Sequence, residues 1–291
     1  MNELLFLAFM VPGTFFLGLY DVLTKKLLMR GVPPTLILGA VYTLTGLVLL
    51  GIHIFLGFPH LQPGFWIALG GTIGLNLISQ PLWFKAFRLE DASLISPLRM
   101  LTPPFVLLTG ILFLHEIPSF GGILGVVVTM LGFWMLVHGE KNKHQTSFQE
   151  ILTRKGVLLG IVGALLFAIS FPLDKKAVIS SSTFFFVALA NLGMGLPYLC
   201  WNLIRHPQSF KIIKKEKKQL VPLFLVQTLG SIFCAQALHY TLAAYAAGGK
   251  RLWSVWTVLL SGSILKEKHI GRKLVATGIM LVGIVVSLVL Q

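Results

Sequence analysis

Apolar runs follow one another from end to end of this chain, with short polar turns between them, and that pattern limits the fold more than any motif does. Ten runs are read, at about 4–23, 35–57, 65–84, 93–114, 120–138, 157–173, 183–204, 220–242, 245–265 and 273–290. A helix needs roughly 20 residues, within a range of about 17–25, to cross the hydrocarbon of a bilayer, and each run fits. None alternates apolar with polar residues over ten positions, so membrane strands do not fit. Of the 291 residues, 55% are hydrophobic and 12% charged, against about 25% charged in a soluble domain. That is too little polar surface to coat a water-facing globule. The expected fold is an all-α polytopic membrane protein with ten transmembrane helices. The first run lacks a basic leader and a small-residue cleavage site, and is read as a span.

A shift of 151 residues lays the second half on the first without gaps. Lys25 falls on Lys176, Asn76 on Gln227, Ala92 on Ala243, Arg99 on Lys250, Leu114 on Leu265, Glu116 on Glu267 and Gly132 on Gly283. A common offset across several spans points to duplication: a first repeat at 1–140, a linker at 141–151 and a second repeat at 152–291. Five is odd, so the second copy must be inverted relative to the first, a recurrent plan among secondary transporters.

Charge gives an orientation. The odd-numbered links carry 19 of the 24 lysines and arginines, including the run Lys211 to Lys218 in a polar link at 205–219. The positive-inside rule puts these links in the cytoplasm and both termini outside, in a cell (plasma or inner) membrane. The net charge of +14 is then met by anionic lipid rather than by nucleic acid. The Lys211 to Lys218 run reads as a solvated link, with a lipid-headgroup patch as the alternative. Cys200 and Cys234 lie in apolar runs and offer neither a disulfide framework nor metal spacing, and no cofactor is implied.

The candidate site residues are those that are costly to place in lipid. Only 15 residues run from Met100 to Leu114, both included, about 22 Å of helix against a hydrocarbon core of ~30 Å. Arg99, and likewise Lys250 and Arg251, therefore sit below the membrane surface. Facing a wet cavity they would hold an anionic group; the plainer reading is snorkelling along flexible stems. Asn76 with Gln80, and Gln227 with Ser231, are i, i+4 pairs whose faces should turn inward, to line a cavity or to bond neighbouring helices. Trp253 is a candidate stacking surface for substrate, beside Trp83, Tyr240 and Trp256; the plainer reading of aromatic residues near helix ends is interface anchoring. The proton-coupling candidates are Asp21, Asp174, Glu116 and Glu267. Against that role, Asp21 is spaced for a local salt bridge with Lys25, Asp174 is read at the end of span 6, and the two glutamates are expected to brace the helices that follow them. His53 and His239 read as satisfied core histidines. Proline breaks at Pro12, Pro81, Pro97, Pro103-Pro104, Pro172 and Pro197, and Gly248-Gly249, mark bends. The glycines of spans 5 and 10, Gly125, Gly132, Gly278 and Gly283 among them, read as helix contacts.

The stretch Lys85 to Arg99 leading to Leu114-His115-Glu116, and its echo Ala237 to Arg251 leading to Leu265-Lys266-Glu267, resemble the drug/metabolite transporter superfamily, specifically its EamA-type ten-helix permeases. The resemblance spans nearly the whole chain and is strongest over 83–137 and 237–290. It implies an inverted two-repeat bundle, a central cavity and alternating access, in proteins that export amino acids, drugs and other metabolites. Lys250-Arg251 resembles a pair that contacts phosphate in the relatives carrying phosphorylated sugars. Well-studied ten-helix members keep both termini in the cytoplasm, which the charge count here opposes.

The expected function is a secondary transporter, a permease or exporter of a small metabolite, with an anionic or zwitterionic solute favoured. A lipid or lipid-phosphate flippase of the same fold is the alternative. A membrane-embedded enzyme would need a nucleophile with its base, paired acids or metal ligands, and no such motif occurs within a span. No filter-like repeat points to a channel. Two fused repeats supply both halves of a pathway, so a monomer in the bilayer is expected.

Overall fold

A computed structural model describes residues 3–102, 105, 120–138, 153–206, 208–240, 246, 249–267 and 269–289. Among them, every regular element is helical. The helices are α1 (Glu3–Met29), α2 (Pro34–Leu56), α3 (Phe65–Leu89), α4 (Ala92–Ile95, continued by a 3₁₀ segment Ser96–Leu101), α5 (Phe120–His138), α6 (Lys155–Ile179), α7 (Thr183–Arg205), α8 (Ser209–Ala237), α9 (Leu252–Leu260, continued by a π turn Ser261–Leu265) and α10 (Ile270–Val289). Five of them, α1, α2, α6, α7 and α8, are each long and apolar enough to cross a membrane, and α5 and α9 contribute shorter apolar stretches. Large apolar side chains, Phe55, Ile67 and Phe120 among them, point outward, as lipid-facing surface requires. Glu116, Pro103-Pro104, Gly248, the expected linker at 141–151 and most of span 4 beyond Thr102 lie outside the described residues.

Each main helix pair joins one half of the chain to the other: α1 packs on α8, α3 on α6, α2 on α7, and α5 on α10. Exchanging the two halves returns the same set of pairs. The α5–α10 contact shows this at atomic detail. A Cβ added at Gly132 would meet the Ala276 carbonyl and Met280, and one added at Gly283 would meet the Gly125 carbonyl and Thr129. Thr129 Oγ1 reaches the carbonyl of Met280, 151 residues on, at 3.5 Å. Small residues let these backbones approach closely, which is how helices associate where no hydrophobic drive separates them from lipid. Gly278 departs from the expectation for this pair, because nothing lies within 4 Å of the Cβ it would carry.

Two further boundaries differ from the sequence reading. The expected polar link at 205–219 is largely helix, since α8 begins at Ser209 and carries Lys211 to Lys218 on its first turns. Lysine and glutamate are good helix formers, and Arg30, just past α1, holds Glu216 at 3.1 Å. Apolarity marks only the part of the helix that lipid covers. For the same reason α6 continues past the apolar run to Ile179, which places Asp174 inside the helix rather than at its end.

Candidate functional site

The helix ends alternate between two ends of the bundle, and the polar side chains differ between them. At the end holding the basic links, α1, α3, α4 and α10 are clasped together. Glu267, just before α10, accepts from the backbone N–H groups of Ala92 at 3.0 Å and Ser93 at 3.1 Å, and from the Ser93 hydroxyl. It thus caps the N-terminus of α4, where the helix dipole favours an anion, instead of bracing its own following helix. Lys273 donates to Asp91 at 3.1 Å and to Ser93 at 2.8 Å. Lys25 donates to the carbonyls of Phe87 and Glu90 that end α3.

The expected Asp21–Lys25 pair is therefore not made. Asp21 faces Arg99 instead, with Nη1 to Oδ2 at 2.6 Å and Nη2 to Oδ1 at 3.3 Å. Lys25 is drawn to the open carbonyls of α3, and Arg99 offers a planar fork matched to a carboxylate. Ser96 and Thr257 donate to the same Asp21 oxygen at 3.2 and 3.1 Å. The guanidinium lies between two indoles, 4.4 Å from the Trp83 ring centre and 4.0 Å from that of Trp253, within cation–π range. Asp21 is 1% exposed and Arg99 6%. Arg251 donates from Nη1 to the Arg99 carbonyl at 2.9 Å. Its Nε and Nη2 have no hydrogen-bond partner among the described residues. This layer ties α1 to α4 and α9.

On the other side of that layer lies a cavity of about 110 Å³, room for several waters. Of the sequence candidates, Asn76, Gln80, Gln227, Ser231, Lys250, Trp253 and Asp174 line it, whereas Arg99, Arg251 and Asp21 stand behind its wall. Asn76 donates to the Ser170 hydroxyl at 2.8 Å and to the Thr72 carbonyl at 2.9 Å. Thr72 donates to Asp174 at 2.8 Å, so a hydroxyl–amide chain leads to the one carboxylate facing the cavity among the described residues. Gln227 donates to Ser231 at 3.0 Å. The Lys250 ammonium stands 4.9 Å from the centre of the Phe167 ring and 5.5 Å from that of Phe171. No ion pair joins Lys250 to Asp174 among the described residues; the two opposite charges share the cavity without closing on each other. The expectation of two satisfied core histidines does not hold: His53 is buried and bonds the Gly57 carbonyl at 3.1 Å, but its Nε2 has no hydrogen-bond partner among the described residues, and His239 is exposed and meets the Thr183 hydroxyl at 3.0 Å.

Residues absent from the sequence candidates complete the wall. Phe167 and Phe171 share one face of α6 with the candidate Asp174, at i, i+4 and i+7; that spacing is the signal the sequence offers. Thr72 sits one turn before Asn76. Asn191, on α7, also lines the cavity, but its 151-residue counterpart is Ala40, so the repeat gives no hint of it.

The model of the EamA-like transporter family matches the chain twice, over residues 4–138 and 154–289. A solved structure titled only as a crystal structure of a protein superposes with a TM-score of 0.63 at 15% identity, covering 96% of each chain; at that identity the likeness concerns the fold alone. The comparison with curated proteins returns no match.

Proposed function

We propose that this chain, which belongs to the EamA-like transporter family and is a multi-pass membrane protein, is a secondary transporter of a small zwitterionic solute by alternating access. One observation carries the solute class: Asp174 and Lys250 face a single cavity and are not paired with each other. A carboxylate on the solute would meet Lys250 and an ammonium group would meet Asp174. The rings of Phe167 and Phe171 stand beside the same ammonium of Lys250 and would keep water from the pair, which strengthens both contacts. Asn76, Gln80 and Gln227 supply neutral donors and acceptors around them.

The alternating-access reading rests on the contrast between the two ends. The clasp and the Asp21–Arg99 layer close the basic end, and the cavity lies toward the other, where α6 and α8 finish and α7 and α9 start. With the basic links in the cytoplasm, as the positive-inside rule favours, this state faces outward and both termini are outside. An inverted relation of the repeats would make the opposite state by exchanging the roles of the two halves; the symmetric helix pairing supports that plan.

The test is solute uptake and efflux in proteoliposomes against amino acids, phosphorylated sugars and organic cations, with and without a pH gradient. Saturable movement of a zwitterion is expected. Asp174→Asn and Lys250→Gln should each raise its KM at least tenfold, about 1.4 kcal/mol of lost binding, while expression is unchanged. Movement of phosphorylated sugars alone, or full activity in both variants, rejects the reading.

A further inference from the structure

We propose that the chain binds one anionic phospholipid at a lateral site, separate from the solute cavity, with the headgroup phosphate at Lys217 and an acyl chain in the groove between α2, α7 and α8. The groove has a volume of about 350 Å³, and its lining is apolar apart from Thr43 and Lys217. On α8, Ile213, Lys217, Leu220 and Phe224 fall on one face at i, i+4, i+7 and i+11. A single cation thus interrupts an otherwise apolar stripe. Across the groove α2 presents Leu44 and Leu47, which are 43% and 55% exposed. Nothing in the described protein covers them.

Charge and depth both select the occupant. Lys217 makes no hydrogen bond or ion pair among the described residues, and the carboxylate beside it in sequence, Glu216, is held by Arg30. Lys214, one turn earlier on the same side of α8, is exposed. On α7, Trp201 is 56% exposed and Arg205 stacks over its ring at 5.0 Å. A tryptophan with an arginine in this arrangement marks the headgroup level. Leu199, which lines the groove, is two residues deeper along α7. The cation is therefore at phosphate depth, and apart from Ile213, one turn nearer the start of α8, the apolar lining runs from there toward the membrane centre. Over the seven residues from Lys217 to Phe224 it extends about 10 Å, long enough for the upper part of one acyl chain. Basic pockets between helices at a cytoplasmic surface have this chemistry for anionic lipid. A zwitterionic lipid would satisfy the groove but bring its own cation to the lysine.

The test is native mass spectrometry of the intact protein released from nanodiscs of phosphatidylglycerol and phosphatidylcholine in equal amounts. One retained phosphatidylglycerol per chain, in preference to phosphatidylcholine, is expected. Lys217→Gln should reduce that preference roughly fivefold, the worth of one lysine at an anionic surface. Leu44→Trp should displace either lipid by filling the groove. Lys215→Gln removes an equal charge from the opposite side of α8 and should change nothing. An equal loss in Lys215→Gln and Lys217→Gln would mean diffuse attraction and overturn the site. So would retention of neither lipid, or a dimer, in place of bound lipid, that Leu44→Trp dissolves.

Discussion

Leucine in place of Arg99 would leave the Asp21 carboxylate buried with only the Ser96 and Thr257 hydroxyls to serve it. Breaking one partner of a buried pair costs about 3–5 kcal/mol, whereas replacing both with apolar residues is often close to neutral. Asp21→Leu and Arg99→Leu should therefore each lower the thermal unfolding midpoint in detergent strongly, and the double variant should recover most of the loss. Simply additive losses would show that the pair is not a unit. At this scale the sequence is informative about residue types and uninformative about partners. Its composition singles out Asn76, Gln227, Asp174 and Lys250 as polar groups needing shelter, and all four line the cavity. Nothing local reveals that Asp21 finds Arg99, 78 positions away, in preference to Lys25 one turn on. That choice depends on α3 ending where its free carbonyls draw the lysine off.

Among the helices, the α5–α10 contact is exacting, because at Gly132 and Gly283 the facing atoms include backbone, as they do between α2 and α7 at Gly39, Gly46 and Gly195. Backbone cannot rotate away as a flexible side chain can. Gly132→Leu and Gly283→Leu should each cost about 1–3 kcal/mol through overpacking, with similar effects because the two contacts mirror each other. On the same helix as Gly283, Gly278→Ala should be neutral or stabilising by up to about 1 kcal/mol, since it meets nothing and removes chain freedom from the unfolded state. Thermal stability of the three variants in one detergent checks the ordering. Glycine content alone groups Gly278 with Gly283, because it does not say which side of a helix is packed. Helix ends escape the sequence for a related reason. Apolar runs report where lipid lies, and α8 extends beyond lipid into a turn of lysines that costs nothing in water.

Taken as a whole molecule, the two ends are unlike although the halves pair symmetrically. Lys273, which holds Asp91 and Ser93, has Gly122 as its 151-residue counterpart, and Asp91 has Leu242. Neither counterpart carries a charge, so the Lys273–Asp91 part of the clasp cannot be reproduced at the opposite end, and the two access states should differ in energy. Weakening the clasp should shift the balance. With Cys200 and Cys234 replaced by alanine and Ser231→Cys as reporter, an impermeant thiol reagent should label the cavity from the end away from the basic links. Adding Glu267→Gln should speed labelling from the basic end and slow it from the other. Unchanged labelling from both ends would separate the clasp from gating. The arginine held between Trp83 and Trp253 has one more consequence. Light emitted by those two indoles is sensitive to a charge against their faces, so parting of this layer should be visible in the protein's own ultraviolet emission. The protein would then report each turn of its transport cycle without a dye, and Trp83→Phe should dim that signal.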